Sequence, residues 1–201
     1  MTDKILINSS RVLLGGLILY ELLNQLEILN HPLTFTWLGL IITSGSIWLM
    51  LEAASFYTRK NFDHPLSGLA MIIAVAVVYL DALGDIFQFY TNYGWYDRLG
   101  HFVGGAAAAG LIFSFIKLLS DCQRRKTQLT ILPMAFFAWT TAVFLGVLYE
   151  LEEYFEDVFT GSQRFGNAFD TGDDLFLNLS GALLAALISA IYVYYRGRPA
   201  N

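Results

Sequence analysis

Six apolar stretches, each close to the length of a membrane-crossing helix, constrain this chain more than any other feature. They cover roughly residues 12–29, 33–51, 67–90, 98–119, 129–151 and 175–195. A hydrocarbon core of about 30 Å takes about 20 residues of α-helix to cross. Backbone N–H and C=O groups have no water to bond in lipid, so each stretch must be helical. Composition agrees, with 56% hydrophobic and only 14% charged residues in 201, where soluble domains carry about 25% charged. The expected fold is therefore all-α, a polytopic transmembrane bundle of about six spans. Connections are short, and Asn30-His31-Pro32 is a turn signal between the first two spans. No internal repeat or composition shift divides the chain, so residues 1–201 read as a single domain. Lys4 and Arg11 precede a short apolar run, as in a leader peptide, but Glu21, Asn24 and Gln25 follow instead of a small-residue cleavage site. The run reads as a retained first span.

Charge orients the bundle. Lys4, Arg11, Arg59, Lys60, Lys117, Arg124, Arg125, Lys126, Arg196 and Arg198 fall on one side of this layout, and only Arg98 and Arg164 on the other. The positive-inside rule places the first side, with both termini, in the cytoplasm. Tyr90, Tyr93, Trp95, Tyr96, Tyr149 and Tyr154 fit an aromatic belt at the opposite interface. The net charge of −5 and the lack of a basic footprint exclude nucleic acid as a partner. The single cysteine, Cys122, excludes an intrachain disulfide. Lipid is the expected surrounding.

The acids gather on the outer side. Asp81 and Asp85 lie four apart in the third span, and Asp97 and His101 four apart at the start of the fourth. Glu150, Glu153 and Asp157 end the fifth, while Asp170, Asp173 and Asp174 open the sixth, ahead of Asn178. Spacings of three, four and seven put side chains on one helical face. Glu152 and Glu156 project elsewhere, toward water. Small residues continue the polar stripes: Gly104 and Ala108 after His101, Gly146 before Glu150, Gly181 and Ala185 after Asn178. Such stripes let helices approach closely, so four helices are expected to aim acids at one outer pocket. Glu21, Asn24 and Gln25 either extend that polar core into the first helix or face another subunit. Clustered carboxylates repel, and near the bilayer centre each costs about 2.5–3.5 kcal/mol, so they must be protonated, exposed or matched by cations. Oxygen ligands suit Mg²⁺, Mn²⁺ or Ca²⁺. The candidate ligands are Asp81, Asp85, Asp97, Glu150, Glu153, Asp157, Asp170 and Asp174. His101 and Asp97 are the catalytic candidates, and Asn178, Arg98 and Arg164 the binding ones.

Simpler readings stand beside these. Thr171-x-x-Asp174 has the form of a capping box, and acids in a first helical turn favour the helix dipole. Asp97-Arg98 can be an interfacial ion pair, and His101 a hydrogen-bonded buried histidine. The Gly104–Gly110 run lies inside a span and is packing material rather than a phosphate loop. Asp81 and Asp85 resist such readings, since no helix starts there and charges inside a span are functional candidates by default.

Three motif runs carry a resemblance: Asp97-Arg98-x-x-His101-Phe102-x-x-Gly105, Tyr149-Glu150-x-x-Glu153, and Asp170-Thr171-x-x-Asp174-Leu175-x-x-Asn178-x-x-Gly181-Ala182. Together they resemble the YjdF-type family of bacterial inner-membrane proteins and, more faintly, the VanZ-like proteins. The resemblance covers about the second half of the chain, 96–186. The loop Ser162-Gln163-Arg164-Phe165-Gly166-Asn167 departs from the Gln-Gly-Asp run of the family pattern. The YjdF-type likeness implies an architecture and shared polar positions, without a reaction; the VanZ-like one hints at envelope or lipid-carrier chemistry.

Three functions compete. One is metal-dependent processing or binding of a lipid or lipid-carrier headgroup, with His101 as general acid or base. A second is cation or proton transport, which requires polar groups through the cytoplasmic halves as well. The third is a scaffold or subunit whose acids bind a partner or stabilise the bundle. Oligomeric state is not encoded in any recognisable pattern.

Overall fold

Each apolar stretch has become a helix, and the last three helices outrun their stretches at the acidic end. The structure is a computed structural model that describes residues 2–63, 66–122 and 129–196. In order the elements are α1 (Thr2–Gln25), α2 (Trp37–Phe62), α3 (Gly68–Ile86), the single turn α4 (Phe89–Asn92), α5 (Tyr96–Cys122), α6 (Ile131–Thr160) and α7 (Ala168–Arg196). No strand occurs among the described residues. All but α4 are long and apolar enough to cross a membrane.

Local chemistry sets the boundaries. The Thr36 hydroxyl accepts from the Gly39 N–H at 3.1 Å and starts α2; Ser67 does the same for Ala70 at the head of α3. Pro133 sits in the first turn of α6, where its missing N–H leaves no helical bond unmade. Gly161, at φ 76°, ends α6 in the left-handed conformation that glycine adopts without strain. The third span stops at Ile86, short of the expected 90, because Gln88 takes φ 58° and turns the chain into α4. The last span starts at 168 rather than 175. Asn167 Oδ1 accepts from the Phe169 N–H at 2.9 Å, so Asn167, not Thr171, caps α7. The Thr171 hydroxyl instead donates to the Phe165 carbonyl.

Helices α5, α6 and α7 form the tightest group; α1, α2 and α3 form a second, joined to it through α3–α5 and α2–α6. The first group owes its closeness to small residues. A Cβ on Gly181 would strike the Phe102 carbonyl, and one on Gly105 would strike the backbone of Asn178. Below them Ala109, Ala142 and Ala182 are fully buried, followed by Phe113, Met134, Ala138 and Ala186. The buried stripe on α5 is thus His101, Gly105 and Ala109, one position beyond the expected Gly104 and Ala108, which are only half-buried. On α7 the buried partners are Ala182 and Ala186 rather than Ala185. The second group packs Leu14, Leu17, Leu40, Val75 and Val78. Large apolar side chains such as Val12, Leu49, Leu132 and Ile188 face outward, as lipid requires.

An even number of spans brings Thr2 and Arg196, the first and last described residues, to one end of the bundle. Lys4, Arg59, Lys60, Lys117 and Arg196 lie there, while Arg124, Arg125, Lys126, Arg198 and His64 fall outside the described residues. Arg11 sits deeper in α1 and makes a two-pronged ion pair with Glu52 of α2, 2.6 Å at each contact.

Candidate functional site

At the opposite end, the acids sort into two clusters, each built around one nitrogen-bearing side chain. The first centres on His101, which α5 carries one turn inside its start. Gly105 and Gly181 draw α5 and α7 together there, so Asp174 arrives beside the imidazole while the Asn178 side chain lies against Gly146; α6 brings Glu150. His101 Nε2 stands 3.5 Å from Asp97 Oδ1 and 3.9 Å from Asp174 Oδ1, while Nδ1 faces Glu150 Oε1 at 3.6 Å. One ligand atom each from Asp97, His101 and Asp174 lies within 4.8 Å of the others. His101, Glu150 and Asp174 are buried and Asp97 is half-exposed. Both carboxylate oxygens of Glu150, Oδ1 of Asp174 and Oδ1 of Asn178 are buried without a hydrogen-bond partner. Leaving such groups unmatched costs about 1–3 kcal/mol each, more when charged.

The second cluster centres on Arg164, from the loop after α6. Its guanidinium donates from Nε to Glu153 Oε1 at 2.9 Å, from Nη2 to Asp81 Oδ1 at 3.1 Å, and from Nη2 to the Tyr149 hydroxyl. Nη1 lies 3.8 Å from Glu156 Oε2. The Phe35 and Tyr149 rings face the guanidinium carbon at 5.4 and 5.6 Å, a favourable cation–π arrangement. Burial alone would lower the Arg164 pKa, but Tyr149, Asp81 and Glu153 around it outweigh burial and hold it above its ordinary value. Asp81 Oδ1 also accepts from Tyr90 at 2.7 Å and from Tyr149 at 3.1 Å. The Tyr149 ring meets the His101 ring edge-on at 5.7 Å and so touches both clusters.

Other expected site residues stand apart from both. Asp85, wholly buried, accepts the backbone N–H groups of Thr34 and Phe35 at 2.9 and 3.0 Å and so pins the α1–α2 connection. Asp157 accepts from the N–H groups of Arg164 and Phe165, at 2.7 and 3.1 Å, and shapes the loop that delivers Arg164. Arg98 pairs with Asp173 at 2.7 Å, both exposed. Asp170 reaches the cleft wall beside Gly166. That cleft, of about 180 Å³, is lined by Asp97, Arg98, Glu153, Arg164 and Asp170 among others, and gives the two clusters a common opening.

Three readings change. Glu156 does not project into water: it is buried, accepts from the Thr36 hydroxyl at 2.5 Å, and occupies the space a Cβ on Gly39 would fill. Its spacing of three from Glu153 carried that signal. Glu152 is half-buried and meets Thr43 at 3.4 Å. For Glu21 the structure takes the inward of its two readings, with the Ser44 hydroxyl donating to it at 2.6 Å. Tyr149, expected only as an interfacial aromatic, has a central position that its place before Glu150 in the sequence did not reveal.

The chain matches, over residues 12–194, the family described as "Predicted membrane protein (DUF2238)". No curated protein and no solved structure matches it. The family match extends through the first three spans, which the motif resemblance did not reach.

Proposed function

The chain belongs to the DUF2238 family of predicted membrane proteins, and from that premise we propose that it binds a divalent metal ion at His101. The ion serves to bind or process the headgroup of a lipid or lipid carrier at the outer face of a bacterial plasma membrane. What carries this reading is the ring of unmatched ligand atoms around the imidazole. Three carboxylates approach His101, yet at 3.5–3.9 Å none makes a good hydrogen bond to it. Ligands of one ion held at about 2.0–2.2 Å are themselves about 3–3.6 Å apart, close to the spacing around Nε2.

The roles divide by ring nitrogen. Nε2 with Asp97 and Asp174 would supply the ligands; Glu150, 3.6 Å from Nδ1, is the carboxylate placed to take the other ring proton once Nε2 holds an ion and so to fix the tautomer, as carboxylates beside metal-bound histidines do. Imidazole with carboxylates suits Mn²⁺ or Zn²⁺, with Mg²⁺ and Ca²⁺ favoured by a purely oxygen set. An ion held by these three residues would supply polarisation of a phosphate or ester oxygen or activation of a water. Arg98, which lines the cleft beside Asp97, is placed to meet an anionic headgroup. A carrier is less well supported, because apolar side chains from Ala109 to Phe113 and Met134 fill the bundle beneath the site.

Elemental analysis of detergent-purified protein, with melting curves in Mg²⁺, Mn²⁺, Ca²⁺ and Zn²⁺, tests the reading. A bound ion that also raises the melting temperature supports it. No ion and no shift would leave His101 as a counter-charge in a scaffold.

A further inference from the structure

The two clusters at the acidic end differ in what already fills them. Around His101 the carboxylate oxygens are unmatched; Glu150 has neither oxygen bonded and Asp174 has one orphaned. Around Arg164 a similar number of acids is aimed at a guanidinium, and Glu153 and Asp81 each give it an oxygen at 2.9 and 3.1 Å. The Arg164 side chain is only 2% exposed, so this cation is part of the interior. Building on the metal reading above, we propose that Arg164 stands where a second metal ion would, and that the centre is mononuclear by construction.

The argument is one of competing cations. Two-metal centres place their ions about 3.5–4 Å apart and share carboxylates between them. Glu150 and Glu153, one helical turn apart on α6, are the pair that would span such ions. Glu153 is instead committed to Arg164 Nε, and the Tyr149 hydroxyl accepts from Arg164 Nη2 as well. A guanidinium has a fixed fork of donors and stays charged, so it neutralises these acids without offering an open coordination position. Water activation and substrate polarisation are thereby confined to the single ion at His101. An in-line displacement clamped by two metals is excluded, and Arg164 is a positioning residue for the carboxylates rather than a catalytic one.

Mn²⁺ is the probe, counted per chain by elemental analysis and by electron paramagnetic resonance of the full-length protein in detergent. The wild type is expected to hold one ion, with no spin–spin coupling. Arg164→Met frees Asp81, Glu153 and Glu156 and is expected to raise the count to two, with the coupled spectrum of a close pair. Arg164→Lys keeps the charge and stays at one. Two ions in the wild type, or no gain in a folded Arg164→Met, overturns the inference while leaving the metal reading intact. No ion in the wild type removes the metal reading itself. If Arg164→Met does not fold, Asp81→Asn decides: it should keep one ion, and a fall to none shows Asp81 to be a ligand and overturns the inference.

Discussion

Asp174 and Glu150 are equally buried acids beside the same imidazole, yet they face different nitrogens, and that difference separates their expected roles. Asp174→Asn removes a ligand oxygen and should abolish the Mn²⁺-dependent rise in melting temperature. Glu150→Gln leaves the ligands in place but loosens the ring, so about a 10–100-fold weaker apparent affinity is expected; a Mn²⁺ titration followed by melting temperature reads both. Should the two variants behave alike, the division of the ring nitrogens is wrong. Asp85 makes the opposite case. Its contacts are to the Thr34 and Phe35 backbone, so Asp85→Ala should cost about 1–3 kcal/mol of stability and leave metal binding unchanged. The sequence marked Asp81 and Asp85 alike, as acids inside a span that must find partners. It could not say that one would meet an arginine and the other a pair of backbone amides, because Thr34 and Phe35 lie 51 and 50 residues from Asp85, and Arg164 lies 83 from Asp81 in a loop without periodicity.

Helix existence, number and order were legible because burial in lipid demands long apolar runs with every backbone bond made internally. Facing was less so. The expected stripe on α5 ran through Gly104 and Ala108, whereas the close contact with α7 runs through Gly105 and Ala109. A run of glycines and alanines offers several adjacent small stripes, and only the partner helix chooses among them. Paired substitutions measure that choice. Gly181→Ala pushes a methyl into the Phe102 carbonyl and should destabilise the protein by about 1–3 kcal/mol. Gly104→Ala meets nothing within 4 Å and should be neutral, or stabilising by up to about 1 kcal/mol through helix propensity. Unfolding in detergent micelles gives the comparison; equal effects would refute the assigned facing. Since Gly105 and Gly181 also bring Asp174 to His101, Gly181→Ala should weaken Mn²⁺ binding as well.

At the scale of the whole molecule, polarity along the bundle axis is what ties fold to function. The described basic residues at helix ends other than Arg98 share one end with both termini, and the two acidic clusters share the other, with a seal of Ala109, Ala142, Ala182, Phe113 and Met134 between. A site open at one end and closed toward the other belongs to a protein that meets its ligand from one compartment. Charge asymmetry predicts the compartment: lysines and arginines near span ends favour the cytoplasmic side, so the cleft is expected to face outward. Cys122 makes this measurable without altering the basic end, because it is the only thiol in the chain and ends α5 there. In intact cells it should resist a membrane-impermeant maleimide and become reactive in inverted vesicles. In a Cys122→Ser background, Asn92→Cys, on the exposed turn of α4 beside the cleft, should show the reverse pattern. If Asn92→Cys is protected in intact cells and labelled in inverted vesicles, the cleft opens to the cytoplasm. The metal centre would survive that result, but a headgroup in the outer leaflet could not be its ligand.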